Sequence, residues 1–253
     1  MAAFFTALQF LTRIRVTGAQ DVSAAGFGHS VRYFPLVGAV IGSVLAAAYW
    51  LAEGYLPNHV LAAGLVVLEI VLTGGIHTDG LMDTADGVFS GRSRERMLEI
   101  MKDSRVGANG VAVFGCVLLL KTSLILDLPP GSAAATLFLM PMLGRMAMVA
   151  GITLFPYARP EGMGKAFAEY AGRKAFWIAL GLTLILLAPL GWPALVAASA
   201  AALFTWLFAG YVTRLLGGLT GDVYGAIAEL SELPVLAVML AAGKAGLAAS
   251  IFG

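Results

Sequence analysis

The sequence predicts an all-α fold, a polytopic integral membrane helical bundle of about seven transmembrane helices with an amphipathic helix at its N-terminus. Composition is the first indication: 59% of the residues are hydrophobic and 12% are charged, and the mean hydropathy is +0.87, more apolar than a soluble core requires. The second is a series of apolar runs of about 20 residues, the length that crosses a hydrocarbon core. These predicted spans are residues 33–51, 58–74, 110–128, 133–155, 175–192, 194–213 and 234–252. They leave no room for a soluble domain, so we expect residues 1–253 to form a single transmembrane domain.

The first segment, "MAAFFTALQFLTRIRV" at residues 1–16, is apolar and carries two late arginines, Arg13 and Arg15. A helix of this kind can lie along the membrane surface with its arginines at the head groups. The alternative is a partly buried first helix of the bundle, and the sequence leaves both open.

Composition also limits the partners. The net charge of +1 gives no basic face for phosphate backbones, so we expect no nucleic acid. The single cysteine, Cys116, lies inside an apolar run, so there is no disulfide framework. The partner that the composition predicts is the lipid bilayer.

Lysine and arginine outside the spans alternate from loop to loop. They are frequent in the N-terminal segment and in residues 75–109 and 156–174, and Arg214 lies at the start of residues 214–232. The loops between these segments have none. Short loops rich in these residues stay in the cytoplasm. Seven spans with the N-terminus inside satisfy this pattern, so most of the polar chemistry is expected on the cytoplasmic face.

The segment "HTDGLMDTADG", residues 77–87, concentrates acids at the end of a predicted span. If it is helical, Asp79, Asp83 and Asp86 lie at i, i+4 and i+7, within about 60° around the helix axis. Each would cost about 2.5 to 3.5 kcal/mol at mid-membrane, so a compensating cation is expected. Oxygen ligands without cysteine indicate Mg²⁺ or Mn²⁺ rather than Zn²⁺.

Other interpretations of this segment stay open. The aspartates can instead form a solvated helix face and helix caps. His77 fits a metal ligand, a donor to phosphate or an ordinary polar residue near the start of the helix. Gly74 and Gly75 break the span and let the backbone approach a ligand, although glycine is common in membrane helices.

The next stretch, "GRSRERMLEIMKDSRVGANG", alternates opposite charges. Glu99 and Asp103 lie at i and i+4, which also fits an amphipathic cytoplasmic helix held by ion pairs. Asp103 and Arg105 are the better functional candidates, because they precede a glycine-containing turn that returns the chain to the membrane near Asp79.

Two further segments supply polar groups on the same face. "YARPEGMGKAF" carries Arg159 and Lys165, as a loop that grips an anionic group would. "GGLTGDVYGAIAEL" places Asp222 at a helix start, where Thr220 or Asp222 can be the N-cap. Glu229 and Glu232 further along need be no more than solvent-facing.

Two basic residues lie inside predicted spans, where charge is costly. Lys121 and Arg145 are each about midway along a span. Each needs an acidic partner, a water-filled cavity or a path to the interface, and Glu69 is one possible partner.

The segment "GGIHTDGLMDTADGVFSGRSRERMLEIMKDSRVGANG" resembles the signature region of the cobalamin synthase family, the adenosylcobinamide-GDP ribazoletransferases. "FLTRIRV", "RYFPLVGAVIG", "YARPEGMGKAF" and "GGLTGDVYGA" resemble further recurring segments of that family, in the same order along the chain. The resemblance is long and specific. It implies a single transmembrane catalytic domain in the bacterial inner membrane, multi-pass, with a cytoplasmic active face.

The resemblance implies a reaction that depends on Mg²⁺. The ribose hydroxyl of alpha-ribazole or its 5'-phosphate attacks the cobinamide-side phosphorus of adenosylcobinamide-GDP, and GMP leaves. It leaves room for other enzymes of nucleotide-loop assembly as partners. The expected metal residues are Asp79, Asp83 and Asp86, with Asp86 or Asp103 as the base and His77 and Arg105 in the same site. The residues expected to bind substrate are Arg92, Arg96, Lys102, Arg159, Lys165 and Asp222.

Three alternatives remain at this point. A CDP-alcohol phosphotransferase and an intramembrane prenyltransferase both hold magnesium and a diphosphate with aspartates at the cytoplasmic ends of helices. A secondary transporter uses broken helices and intramembrane charges, but no internal repeat relates the two halves of this chain.

Overall fold

The computed structural model describes residues 2–16 and 23–247, and within them the fold is helical, with one isolated backbone bridge between Tyr157 and Leu219. The all-α prediction is confirmed. A short 3₁₀ turn, Val31–Tyr33, joins α2 to α3. The helices are α1 Ala2–Leu11, α2 Ala24–Ser30, α3 Phe34–Ala52, α4 Asn58–Thr73, α5 Ile76–Val88, α6 Arg94–Ile100, α7 Ala108–Leu126, α8 Pro130–Leu154, α9 Met163–Leu187, α10 Gly191–Leu216 and α11 Gly221–Lys244.

The possible membrane-spanning segments are roughly consistent with the seven expected. In the described residues five segments are long and apolar enough, or six if α4 and α5, bent by 93° to one another, count as one. One of the five, Gly164–Leu216, contains two predicted spans, which correspond to α9 and α10. The chain turns at Gly191, and α9 and α10 then line one apolar cavity together with α8. The predicted span 58–74 corresponds to α4, which has only 16 residues.

The last span begins earlier than expected. We predicted residues 234–252, but the apolar helix is α11, Gly221–Lys244, and residues 248–253 lie outside the described part. Pro234 is inside this helix without ending it. Membrane helices tolerate such a proline because neighbouring groups satisfy the freed carbonyl. The shift carries Glu229 and Glu232 from a predicted loop into the bundle.

Helix α8 lies at the centre of the bundle and contacts α3, α9, α10 and α11. Apart from Arg145, its sequence is largely apolar all round, as expected of a helix that is surrounded by others. Helix α1 packs on α2 and α3 and buries Ala7, Leu8 and Leu11. Of the two interpretations of the N-terminal segment, the structure supports the partly buried first helix.

Five charged side chains from four helices meet inside the bundle. This ionic network consists of Glu69 on α4, Lys121 on α7, Arg145 on α8, and Glu229 and Glu232 on α11, all of them buried. Lys121 Nζ lies 2.8 Å from Glu69 and 3.1 Å from Glu229, and it also pairs with Glu232. Arg145 lies 2.6 Å from Glu232 and 3.3 Å from Glu69.

The network answers the question raised by the two intramembrane cations. Glu69 is a partner of both, as expected, whereas the interpretation of Glu229 and Glu232 as solvent-facing is wrong. Buried charges are tolerated where they are paired and hydrogen-bonded. The network therefore ties α4, α7, α8 and α11 together, and Thr78 extends it to α5 by donating a hydrogen bond to Glu229 at 3.4 Å.

Candidate active site

Helix α5 leaves the line of α4 at two glycines. Gly74 and Gly75 both have left-handed backbone conformations, with φ of 65° and 74°, and Gly74 closes α4 by donating to the carbonyls of Ile70 and Val71. Glycine adopts these angles without the strain that a Cβ would add. The sequence thus ends one helix and starts another at 93°, and the predicted helix over residues 79–86 is confirmed as part of α5.

The three aspartates of α5 lie in different environments. Asp79 is exposed, Asp83 is half-buried and Asp86 is buried. The carboxylate of Asp86 accepts hydrogen bonds from the backbone N–H of Gly107 at 2.7 Å and of Gly110 at 2.8 Å. These are unpaired donors of the first turn of α7, where a negative charge is favourable. Asp86 therefore caps α7 from a neighbouring helix.

Asp222, at the start of α11, lies close to α5. Thr220 is the N-cap of α11, as one of the two sequence interpretations held, and it accepts a hydrogen bond from Val223 N–H. Gly80 permits the close crossing of α5 and α11, because a Cβ on it would lie 2.6 Å from the carbonyl oxygen of Asp222. The charge of Asp83 interacts with those of Asp79 and Asp222. We call Asp79, Asp83 and Asp222 the acidic cluster.

The loop after α8 brings a cation to this cluster. The bridge between Tyr157 and Leu219 is made by Ala158 N–H donating to Leu219 O and Leu219 N–H donating to Pro156 O, both at 2.8 Å. It joins the "YARP" and "GGLTGD" segments, and Arg159 Nη2 lies 2.9 Å from an oxygen of Asp222. Arg159 Nε is buried and has no hydrogen-bond partner among the described residues, so a donor remains for an anionic ligand.

The acidic cluster offers the carboxylate oxygens that a hard cation prefers, but it does not form a complete metal site. In the part of the chain that the structure describes, no three carboxylate, imidazole or thiol groups converge closely enough to hold a metal ion. The three aspartates of α5 therefore do not form a ready site by themselves. Magnesium commonly takes one or two carboxylates and completes its shell with water and substrate phosphate, which Asp79, Asp83 and Asp222 suit.

His77 lies on the inner side of α5. It is buried, its Nε2 has no hydrogen-bond partner within the described residues, and its charge interactions are with Arg145 and Lys121 of the ionic network. No hydrogen bond or ion pair joins the His77 side chain to the acidic cluster within the described residues, and its role in the site stays a prediction.

Asp103 and Arg105 pair with each other on the surface. Their closest atoms are 2.6 Å apart, and the Arg105 guanidinium and backbone N–H lower the pKa of Asp103 to about 2. Helix α6 ends at Ile100, so Asp103 is not on a helix with Glu99, contrary to expectation. A carboxylate with so low a pKa is a weak proton acceptor.

The remaining predicted basic residues lie at the surface around this end of the bundle. Arg96 pairs with Glu99 at 2.7 Å within α6. The side chains of Arg92, Lys102 and Lys165 are exposed and form no ion pair within the described residues. The structure brings Arg159 and Asp222 to α5 and leaves these four outside the acidic cluster.

Two tyrosines near the cluster were missed by sequence reasoning. The rings of Tyr157 and Tyr224 are 6.4 Å apart, and burial together with the charge of Asp222 raises the pKa of Tyr157. The hydroxyl of Tyr224 is buried with no partner in the described residues. Tyr157 and Tyr224 each lie two residues from Arg159 or Asp222 in the "YARP" and "GGLTGDVY" segments, and this proximity in sequence could have indicated them.

The fold and the site define a multi-pass helical membrane protein whose carboxylates and a cation meet at one end of the bundle. The chain matches the model of the family described as cobalamin-5-phosphate synthase over residues 3–240, and it belongs to that family. No solved structure matches the chain.

Curated relatives cover nearly the same length. An adenosylcobinamide-GDP ribazoletransferase of Desulfitobacterium hafniense is 47% identical over 240 residues, 92% of this chain and 94% of the relative. The enzyme of the same name from Roseiflexus sp. is 44% identical, over 92% of this chain and 87% of the relative. A third, from Alkaliphilus metalliredigens, is 40% identical over 98% of both chains.

Proposed function

We propose that this protein is an adenosylcobinamide-GDP ribazoletransferase, the activity for which its relatives are named. A ribose hydroxyl of alpha-ribazole or its 5'-phosphate attacks the cobinamide-side phosphorus of adenosylcobinamide-GDP. A new phosphorus–oxygen bond forms, the bond to the bridging oxygen of the diphosphate breaks, and GMP leaves while the hydroxyl proton passes to a base. The observation that supports this most is the ion pair of Arg159 with Asp222 beside Asp79 and Asp83.

Each group of the site has a part in this proposal. Arg159 lies against the acidic cluster with a buried donor unused, so it is placed to hold an anionic phosphoryl oxygen. Asp79, Asp83 and Asp222 would hold Mg²⁺, which when bound supplies positive charge to the diphosphate and the departing phosphate. The exposed Arg92, Arg96, Lys102 and Lys165 attract the anionic substrate to this end of the bundle.

The hydrogen bonds of the predicted bases, Asp86 and Asp103, support a different proposal for the proton acceptor. Both oxygens of Asp86 accept backbone hydrogen bonds, and Asp103 is paired with Arg105. Asp83 makes no hydrogen bond or ion pair within the described residues and is half-buried next to Asp79. We therefore propose that Asp83 or Asp79, whichever is left free of Mg²⁺, accepts the hydroxyl proton, and that Asp86 supports α7.

The location that we propose is the bacterial cytoplasmic membrane, with the acidic cluster on the cytoplasmic face. This rests on the apolar helices and on the basic residues at the end of the bundle that carries the cluster. Nucleotide substrates are made in the cytoplasm, so this side gives them direct access.

The test is a coupled assay of both products. Detergent-purified protein is given adenosylcobinamide-GDP, alpha-ribazole or its 5'-phosphate, and Mg²⁺, and GMP and the joined corrinoid are quantified. We expect equal amounts of the two, loss of both on chelation, and almost no GMP without the ribazole, because water is poorly positioned as a nucleophile. Full GMP release without ribazole would show a hydrolase instead, and turnover of a CDP-alcohol or a prenyl diphosphate alone would show one of the alternative enzymes.

A further inference from the structure

A cavity of about 580 Å³ opens between α1, the bend of α4 and α5, and α7. Its size lies within the range of about 300 to 1,000 Å³ that holds small molecules. Its lining includes Phe10 of α1, Phe114 of α7, and Thr73, Ile76 and Asp79 at the bend. It is distinct from the dry cavity between α8, α9 and α10, whose lining is almost wholly apolar.

The lining combines apolar surface with charged groups of both signs. Arg13 lies on the rim with its side chain against Gly74, and the only hydrogen bond of that side chain within the described residues runs from Nη2 to Gly74 O at 3.4 Å. Most of the guanidinium donors are therefore available to a ligand. Asp79 is the negative group of the same cavity. An acyl chain would leave these charges unsatisfied.

The cavity and the acidic cluster share a residue. Asp79 lines the cavity and interacts with Asp83, whose charge also interacts with Asp222 and Arg159. A ligand in the cavity would thus have one end beside the groups that we propose for the diphosphate. This is the arrangement that transfer between two substrates requires.

The ring of Phe10 is held by other aromatic rings. Phe10 packs edge-on against Phe167 at 4.9 Å and Phe27 at 5.8 Å, and Phe167 lies near the start of α9. Phe10 is thereby connected, through Phe167, to the start of the helix that follows the Arg159 loop. Rigid aromatic surface suits a planar ring system at low cost in conformational entropy.

We propose that this cavity binds the nucleoside substrate, with its planar base against the aromatic lining of Phe10 and Phe114, its ribose near Asp79, and a 5'-phosphate, when present, at Arg13. This assignment rests on the proposed function, since it names where the second substrate of that reaction lies. The corrinoid nucleotide is too large for the cavity, and a free guanosine diphosphate would bring two phosphates to a lining with one cation and one carboxylate.

The test fills the cavity at its rim. Ile76, at the start of α5 and 37% exposed, is replaced in Ile76→Trp, which places a large side chain in the cavity without removing a packed one. The matched control is Val71→Trp, on the adjoining helix, where Val71 is 62% exposed and outside the cavity lining. Equilibrium binding of alpha-ribazole and of adenosylcobinamide-GDP is measured separately in nanodiscs, each without the other substrate.

We expect Ile76→Trp to raise the Kd for alpha-ribazole by about tenfold or more, a loss of about 1.4 kcal/mol of binding, with the Kd for adenosylcobinamide-GDP unchanged. Val71→Trp should leave both Kd values unchanged. Because no turnover is needed, a failure of the proposed reaction would show in GMP release, whereas a failure of this assignment would show in ribazole binding.

A second variant tests the charged rim without filling space. Arg13→Gln should remove most of any preference for alpha-ribazole 5'-phosphate over alpha-ribazole and leave the affinity for the unphosphorylated form nearly constant. The assignment is wrong if Ile76→Trp weakens adenosylcobinamide-GDP binding instead, or if neither affinity changes. In the second case a fall in the amount of co-purified lipid would show that an acyl chain occupies the cavity. Equal affinities of Arg13→Gln and the unaltered protein for the 5'-phosphate would overturn the role of Arg13.

Discussion

Three aspartates of one short helix have three different surroundings, and the differences decide what each can do. Asp86 is buried and its carboxylate accepts two backbone hydrogen bonds. The carboxylates of Asp79 and Asp83 form no hydrogen bond or ion pair within the described residues, and the charge of Asp83 interacts with those of Asp79 and Asp222. Their helical spacing in the sequence predicted the same role, metal binding, for all three. The structure separates a structural carboxylate from two that are available to a metal or a proton.

Asp83→Asn removes a charge and keeps the size of the side chain. We expect kcat/KM for the proposed transfer to fall by about 10²-fold to 10³-fold, since a group that stabilises the transition state is lost. Membrane insertion and thermal stability in detergent should be preserved. Glu95→Gln, on exposed α6, is the matched control and should retain full activity. Near-normal turnover of Asp83→Asn throughout a Mg²⁺ titration would remove Asp83 from the site.

Asp86 leads to a different expectation. In Asp86→Ala the N–H groups of Gly107 and Gly110 lose their acceptor, and each unsatisfied buried donor costs about 1 to 3 kcal/mol. We expect a lower midpoint of thermal unfolding in detergent, together with loss of activity. Unchanged thermal stability with loss of activity would indicate that Asp86 acts chemically rather than as a cap of α7.

At the scale of helices, the sequence predicted more of α5 than of α11. Periodicity and the double glycine located α5 and the bend before it, because these signals are local. The predicted start of the last span lay about one-half of a helix length after the actual start of α11, since Glu229 and Glu232 were typical of a loop. Their burial depends on Lys121 and Arg145, which approach from other helices. Charge balance was the available clue, because Glu69 alone could not neutralise two intramembrane cations.

The same limit applies to the candidate site. The sequence indicated Arg159 and Asp222 as separate binding residues, and nothing local showed that a backbone bridge joins their loops. Asp86 likewise gave no sign that its partners are Gly107 and Gly110. Residue type and spacing indicated which side chains could bind a metal or a phosphate. Which side chains contact one another depended on the packing of helices that are distant in sequence.

The ionic network predicts a large effect for a substitution far from the acidic cluster. Lys121→Met leaves three buried carboxylates with Arg145 as their only cation within the described residues, and breaking a buried pair costs about 3 to 5 kcal/mol. We expect aggregation or a much lower unfolding temperature in detergent, measured by thermal size-exclusion chromatography.

Two matched variants make this result specific to charge balance. Lys244→Met removes a lysine whose pair with Asp127, at 3.3 Å, is exposed, and surface pairs contribute about 0 to 1 kcal/mol, so it should behave like the unaltered protein. Adding Glu229→Gln to Lys121→Met should restore part of the lost stability. If the double variant is less stable than Lys121→Met, charge imbalance is not the cause.

For the whole molecule, the contacts divide the loops between two ends. The loop after α8 is bridged to the loop before α11, and the Arg94 side chain of α6 lies against Gly217 at the end of α10. The opposite end holds Asp127 and Lys244, which pair. The basic loops predicted to share one side of the membrane therefore meet at the end that carries the acidic cluster.

This division gives a labelling prediction. Single cysteines are introduced at Glu95 and Tyr55, both exposed, after Cys116, which is itself exposed, has been replaced. With a membrane-impermeant thiol reagent, we expect Tyr55→Cys to react in intact cells and Glu95→Cys only in inverted vesicles, because loops with lysine and arginine remain inside. Lysed cells, in which both positions should react, control for local accessibility. Reaction of Glu95→Cys in intact cells would place the acidic cluster outside the cytoplasm, away from the nucleotide substrates, and the proposed reaction could not proceed there.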